Sequence, residues 1–184
     1  MSEKTTDGRL AKGEQRRREL IAATISIVAR EGVAGVSHRA VAREAGLQPT
    51  AAAYYYKAID DLLTAALTQC MEEDAAYVRD LAESGEAGLR GFAEQMARAV
   101  AAPVHLVAEF ELFLLASRRP ELRKATANWT DALAAFARSH TDSPARVRAL
   151  AAAVDGMLIQ ALVTDDPPTV DDYEEVLRDI LEKP

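Results

Sequence analysis

Residues whose side chains could bind nucleic acid are concentrated in the segment 37–57. Hydroxyl, amide and cationic groups occur there among small residues, and such groups hydrogen-bond to phosphates and base edges. Gly46 separates two short stretches with helical spacing, and Pro49 near the start of the second suits a first helical position. The pattern predicts a helix-turn-helix over about residues 37–56, whose second helix would enter the major groove of DNA.

Different parts of this segment suit different contacts with DNA. Arg39, Tyr55 and Lys57 are candidates for phosphate contacts, because their side chains donate hydrogen bonds to phosphate oxygens. Ser37 is expected to cap the first helix at the DNA surface, and His38 either touches DNA or is solvated. The candidates for base contacts are Gln48, Thr50, Ala51 and Tyr54. The alternative for each of them is contact with only the DNA backbone or solvent.

Charge is unevenly distributed along the chain. Its 184 residues include 22 Lys+Arg and 29 Asp+Glu, a formal net charge of −7 that by itself argues against nucleic acid. Residues 1–57, however, have a net charge of +4, and residues 58–184 have a net charge of −11. The basic part coincides with the predicted helix-turn-helix, while the acidic remainder favours a cationic or neutral small-molecule ligand over an anionic one.

A second group of candidates suits a small-molecule pocket. His105 and Glu109 are four residues apart in an apolar stretch, so they would share one face of a helix. They are either polar anchors of a pocket or a hydrogen-bonded pair at the rim of the core. The same alternatives, pocket wall or plain core, apply to the apolar candidates Phe92, Met96, Phe113 and Trp129.

The sequence gives no sign of catalysis. We find no nucleophile elbow, phosphate loop or catalytic carboxylate pair, so we expect no enzyme activity, no metal site and no cofactor. The single cysteine, Cys70, cannot form an intrachain disulfide. No apolar stretch has the length of a signal peptide or a membrane span, and a cytoplasmic location is expected.

The elements that would position these residues are all helices. Alanine is abundant, Gly (9) and Pro (7) are few, and no stretch alternates in the manner of a strand. We predict an all-α fold of about nine helices. The first six cover about residues 13–30, 37–46, 49–56, 60–83, 87–102 and 104–118, the seventh contains Trp129, and the last two start near Ser143 and Thr169. The predicted organisation is a flexible basic tail (1–12), a helix-turn-helix domain (13–60) and a helical domain (61–184), to which the family resemblance given next assigns effector binding and dimerisation.

The segment 37–63 resembles the DNA-binding domain of TetR-family transcriptional regulators. The family pattern reads approximately Thr-x-x-x-Ile-Ala-x-x-Ala-Gly-Val-Ser, then a short recognition helix, Tyr-x-Tyr/His-Phe, and a Lys followed by an acidic residue and Leu. In this chain Ser37 replaces the Thr, and the matching stretches are Val41-Ala42, Ala45-Gly46-Leu47, Tyr55-Tyr56 and Asp61-Leu62. Ala53 stands where many members have the first Tyr. Ile59 stands where the family usually has a phosphate-facing Lys, and Lys57 is the candidate replacement.

The resemblance implies a homodimer that binds a palindromic double-stranded DNA operator, with its recognition helices about 34–36 Å apart. It also implies an effector pocket among helices four to seven, and repression that an unknown small molecule relieves. The last two helices would form a four-helix bundle with the partner. The predicted interface residues are Val147, Leu150, Val154, Leu158, Tyr173, Leu177 and Ile180.

Two other functions remain open from the sequence. One is a DNA-binding helical protein that responds to a protein partner instead of a small molecule. The other is a helical interaction module that does not bind DNA at all.

Overall fold

The computed structural model describes residues 3–181, with side chains from residue 11 onward except at positions 86 and 87. Over these residues the fold is all-α, as predicted, with nine α-helices, two short 3-10 turns and no strand. The helices are α1 (Glu3–Glu31), α2 (His38–Glu44), α3 (Ala51–Tyr55), α4 (Ile59–Ala82), α5 (Glu86–Ala101), α6 (Val104–Ala116), α7 (Arg123–Arg138), α8 (Pro144–Ala161) and α9 (Val170–Leu181).

The first helix differs most from its predicted bounds. It begins at Glu3 instead of near Gly13, so most of the segment expected to be a flexible tail belongs to α1. Residues 3–12 contain no proline and several good helix formers, and Gly13 costs a helix interior only about 1 kcal/mol. Gly13 therefore does not mark the start of a helix. The first two residues of the expected tail lie outside the described residues.

Helices α1, α2 and α3 pack around a small apolar core. Leu20, Val41 and Ala52 are fully buried there. Arg30 at the end of α1 forms an ion pair with Glu44 at the end of α2, with 3.1 Å between guanidinium and carboxylate. These contacts fix the two short helices, which would not be stable alone, against the long first helix.

Helix α4 packs mainly against α7 and also against α1, α5 and α6. Its buried stripe includes Leu63, Leu67, Cys70 and Val78. Helix α9 packs on α5, and α8 packs on α7. Because α4 starts at Ile59, the boundary predicted at residues 60 and 61 falls inside its first turn. One continuous helix thus joins the N-terminal three helices to the rest of the chain.

Within the described part of the chain, no single helix is long and apolar enough to cross a membrane. The segments 88–101 and 104–116 reach the length and hydropathy of a membrane span only when they are taken together. The two helices are bent by 93° at the break between them.

Candidate DNA-binding surface and ligand cavity

The turn between α2 and α3 depends on Gly46. Its φ of 65° lies in the left-handed region, which glycine adopts without a steric penalty. Beside it, the Leu47 N–H donates to the Ala42 carbonyl at 2.8 Å. At the other end of α2, the Ser37 hydroxyl accepts from the Ala40 N–H at 3.2 Å, which is the predicted cap. The two predicted short helices are present, although α3 begins after Pro49.

A shallow depression on the surface beside this turn brings five candidate residues together: Gln48, Thr50, Ala51, Tyr54 and Tyr55. Arg16 reaches the same depression from α1. Gln48 and Thr50 are exposed, and the side chain of Tyr54 is 73% exposed. An aromatic ring that is so accessible in the free chain is available for a ligand or for DNA.

Two other candidates mainly support this surface. The half-buried ring of Tyr55 lies under the Arg17 guanidinium, 5.6 Å from ring centroid to Cζ, and makes an edge contact with Tyr54. The Nε2 of His38 lies 2.9 Å from the backbone carbonyl of Tyr56, which ties the start of α2 to the end of α3. The structure therefore gives His38 a positioning contact inside the chain.

Lys57 and Arg39 are both exposed. Lys57 immediately precedes the start of α4, where the Ala58 N–H donates to the Asp61 carboxylate at 3.0 Å. Ile59 is half-buried and packs against the core. An apolar side chain in that position offers no donor for phosphate, whereas the Lys57 ammonium does.

Helices α4 to α8 enclose a cavity of about 260 Å³. Five of the six predicted pocket residues line it: Phe92, Met96, His105, Glu109 and Trp129. Phe113 does not, because α6 faces the cavity only in its first two turns and Phe113 lies one turn beyond Glu109. The other lining residues include Cys70, Glu73, Asp74, Gln95, Arg98 and Leu158.

A chain of polar contacts crosses this cavity from α5 to α6. Arg98 donates to the Gln95 amide oxygen at 3.0 Å and to the Tyr77 hydroxyl at 3.0 Å. The Gln95 amide nitrogen in turn donates to the Asp74 carboxylate at 3.2 Å. Asp74 then forms a hydrogen-bonded carboxyl pair with Glu109.

Burial disfavours negative charge on these carboxyl groups. It raises the pKa of Glu109 well above the usual range, and the neighbouring Asp74 raises it further. Burial also raises the pKa of Asp74, although the hydrogen bonds from Glu109 and Gln95 offset part of that increase. The pKa of Asp155 on α8 is raised by burial too, with the Trp129 indole as its donor.

Cys70 lies in the cavity wall as a free, buried thiol. Burial raises its pKa to about 12, so the sulfur stays protonated and a poor nucleophile at neutral pH. Among the residues that the structure describes, no group of His, Cys, Asp and Glu side chains is placed to hold a metal ion.

Comparison with known proteins decides the family. The family model for the "Tetracyclin repressor-like, C-terminal domain" matches residues 83–183. The structure of a TetR family member from Streptomyces coelicolor, SCO1917, is 34% identical in sequence, with a TM-score of 0.79 over 91% of this chain and 99% of that one. This chain belongs to the TetR family of transcriptional regulators.

The multidrug binding protein EbrR is a second similar TetR-like structure. Its complex with imidazole is 34% identical to this chain, with a TM-score of 0.73 over 92% of each chain. Its complex with ethidium is 36% identical, with a TM-score of 0.72 over 90% of this chain and 97% of that one. The comparison with curated proteins gives no match. Members of the TetR family are regulators, which agrees with a chain whose sequence offers no catalytic motif.

The predicted dimer residues need correction in this TetR fold. Five of the seven are buried inside the chain's own core: Leu150, Val154, Leu158, Tyr173 and Leu177. They pack α8 and α9 onto the neighbouring helices. Val147 and Ile180 are half-buried. The apolar stripes seen in the sequence are therefore the inward faces of α8 and α9.

Four of the cavity residues that sequence reasoning missed are polar: Glu73, Asp74, Gln95 and Arg98. Asp74 occupies a position of the buried stripe of α4, following Leu67 and Cys70 at steps of three and four residues. A carboxylate at such a position is unusual and is the signal that could have identified it. The contacts of Gln95 and Arg98 depend on how α5 packs against α4, and the sequence carries no local sign of that.

Proposed function

We propose that this protein is a homodimeric repressor that binds a palindromic DNA operator through α3 and is released by a small molecule in the α4–α8 cavity. The observation that carries this proposal is the course of α4. The helix begins two residues after Lys57 at the candidate DNA surface and lines the cavity with Cys70, Glu73 and Asp74. At 1.5 Å per residue, Asp74 lies about 22 Å along the helix from Ile59.

The candidate DNA contacts are supported by exposure and by local charge. Gln48, Thr50 and Tyr54 are exposed on one surface, where they could meet base edges. Arg39 and Lys57 are exposed and would meet phosphates, with Arg16 as an addition from α1. We propose Ser37, His38 and Tyr55 as the residues that hold the surface in position. Ala51, which is small and half-buried, allows α3 to approach the groove closely.

An exposed face of α8 supports the proposed dimer. This face is not the one that contains the interface residues predicted from the sequence. At steps of three and four residues this face presents small or apolar side chains: Ala145, Ala149, Ala152, Gly156, Ile159 and Val163. Ile159 is 44% exposed and Val163, just after the helix, is 85% exposed. A Cβ added at Gly156 would meet no atom of this chain within 4 Å. Small residues let two helices approach closely, so this face suits the α8 helix of a second copy.

The effector is proposed to be a small aromatic molecule. Phe92, Met96 and Trp129 form apolar walls of the cavity. EbrR, similar in sequence and fold, has been solved in complex with the aromatic dyes ethidium, malachite green and proflavin. A ligand that prefers one position of α4 shifts the DNA-binding equilibrium by its difference in affinity, tenfold for about 1.4 kcal/mol.

A DNA-binding assay tests the proposal. Purified protein is titrated into labelled DNA from upstream of its own gene, over a series of salt concentrations and with scrambled DNA as the control. We expect tight, sequence-selective and steeply salt-dependent binding, which tetraphenylphosphonium, a permanent aromatic cation, weakens. Binding without sequence preference would overturn the repressor function. If neither this cation nor a panel of neutral aromatic compounds weakens the selective binding, the proposed effector role of the cavity is overturned.

A further inference from the structure

We propose that the cavity binds an aromatic cation in exchange for one proton, which the Asp74 and Glu109 carboxyl groups share when the cavity is empty of ligand. The inference rests on the proposed effector site and deepens it: it names the charge of the ligand and couples its binding to pH.

The geometry that supports this exchange is a set of carboxyl groups converging from three helices. Asp74 on α4 and Glu109 on α6 both line the cavity, and the Asp155 carboxyl on α8 acts electrostatically on Glu109. None of the ion pairs found over the described residues includes any of these three groups. Buried carboxyl groups without a cationic partner either hold a proton or require a positive ligand.

The other charged groups around the pair leave the cavity acidic. Glu73 on α4 and His105 on α6 line it, and α7 contributes the Trp129 indole. Arg98 on α5 is the one lysine or arginine in its wall, but its guanidinium donates to Tyr77 and Gln95 and its side chain is 55% exposed at the rim. No lining residue comes from α1 or α9.

Hydrogen bonding assigns the shared proton mainly to Glu109. Asp74 accepts from the Gln95 amide at 3.2 Å, and this bond stabilises a negative charge on Asp74. Glu109 has no such amide donor, and its pKa is raised by burial and by Asp74 itself. In the ligand-free cavity Glu109 is therefore the donor of the pair and Asp74 the acceptor.

A cation changes this balance because it supplies the positive charge that two neighbouring carboxylates need. When it enters, Glu109 releases its proton to the solvent, and the cation interacts with two carboxylates beside the rings of Phe92 and Trp129. Charge is balanced, since one positive charge enters and one leaves. Cation–π attraction to Trp129 adds to the affinity for a cation. A neutral aromatic ligand displaces no proton.

Calorimetry with ethidium tests the exchange, because ethidium is a permanent cation whose charge does not change between pH 5.5 and 8. Binding enthalpies in phosphate and in Tris buffer at pH 7 give the number of protons released. We expect up to one proton per ethidium, and an affinity that rises by up to tenfold per pH unit. Phenanthridine, the uncharged parent ring, measured at pH 7.5, should release none.

Three variants locate the proton. Glu109→Gln keeps the shape of the side chain but cannot ionise, so we expect ethidium binding without proton release and with little pH dependence. Asp74→Asn removes the other half of the pair and should also abolish the release. Glu111→Gln is the matched control, because this residue lies on α6 like Glu109 but is exposed and does not line the cavity. Its proton release should equal that of the unchanged protein. Circular dichroism and melting curves verify that each variant is folded.

Three outcomes would overturn the exchange: no ethidium binding at any pH, binding without proton release, or a release that persists in both Glu109→Gln and Asp74→Asn. Release of operator DNA by tetraphenylphosphonium, which does not intercalate, is measured separately. Proton exchange without DNA release would refute the effector role but not the exchange. DNA release without proton exchange would refute the exchange alone.

Discussion

Arg119, three residues after the end of α6, forms an ion pair with Asp60 in the first turn of α4. The same two helices line the cavity farther along, through Glu109 on α6 and Asp74 on α4. Helix α6 thus meets α4 at the cavity, and the segment that follows α6 meets α4 beside its start, two residues from Lys57. A ligand that changed the spacing of α4 and α6 would therefore act on the helix that begins beside the candidate DNA-binding surface.

We expect Arg119→Ala to retain operator binding but to weaken its release by an effector. The pair is partly exposed, so its loss should cost about 0.5 kcal/mol of folding stability and leave the fold intact. The matched control is Arg118→Ala, which removes the neighbouring exposed cation. Operator affinity with and without tetraphenylphosphonium provides the measurement. Equal release by both variants and the unchanged protein would show that this ion pair does not transmit the signal.

We expect Lys57→Ala to weaken binding to all DNA sequences alike. If each Lys57 meets one phosphate, the slope of log K against log salt should fall by about 0.9 per subunit, and by about twice that for a dimer. Lys124→Ala on α7, an exposed lysine outside the candidate DNA surface, is the control. An unchanged slope would remove Lys57 from the phosphate contacts and leave the family's contact near Ile59 without a replacement in this chain.

The helices were largely predictable because their signals are local. Ser37 and Ser143 cap helices as their sequence contexts predict, with hydroxyls that accept from backbone N–H groups three residues on. Gly46 likewise makes the expected turn. The start of α1 was not predictable from Gly13, because a single glycine is tolerated in the interior of a long helix.

The cavity was only half predictable, for a physical reason. Large apolar residues such as Phe92 and Trp129 line either cavities or solid core, and only the packing of the helices decides between them. His105 and Glu109 were identified by their spacing on one helix. The partner of Glu109, however, is Asp74 on α4, 35 residues earlier. No local pattern predicts a pair that forms between two helices.

The residues predicted for a dimer interface lie mostly in the core of the single chain, because hydrophobicity alone does not distinguish an interface from a core. Leu150 and Leu177 belong to strong apolar stripes, and those stripes are buried within the chain. The exposed face of α8 is marked instead by small residues such as Ala152 and Gly156. Small residues contribute little to an apolar pattern, so this face is inconspicuous in the sequence.

We expect Ile159→Glu to dissociate the proposed dimer and to reduce operator affinity at least tenfold, since both half-sites would no longer be bound together. Ile159 is exposed in the single chain, so the monomer should stay folded. Gln160→Glu adds the same charge in the same turn and is the control. Light scattering and DNA titration provide the measurements. A dimer that persists in Ile159→Glu would exclude this face of α8 as the interface.

We expect Glu109→Gln to stabilise the ligand-free protein increasingly as the pH rises. Because the pKa of Glu109 is higher in the folded chain than the usual 4.5, folding favours its protonated form. Its contribution to stability is thus most favourable below pH 4.5 and falls as the pH rises toward the folded-state pKa. Glutamine cannot ionise, so the variant does not lose stability in this way as the pH rises.

Melting temperatures between pH 4.5 and 8 should show a difference between variant and unchanged protein that is smallest at pH 4.5 and grows with pH. Glu111→Gln, an exposed carboxylate on the same helix, should give no such trend. A difference that stays constant with pH would mean that Glu109 ionises in the folded chain as it does in the unfolded one.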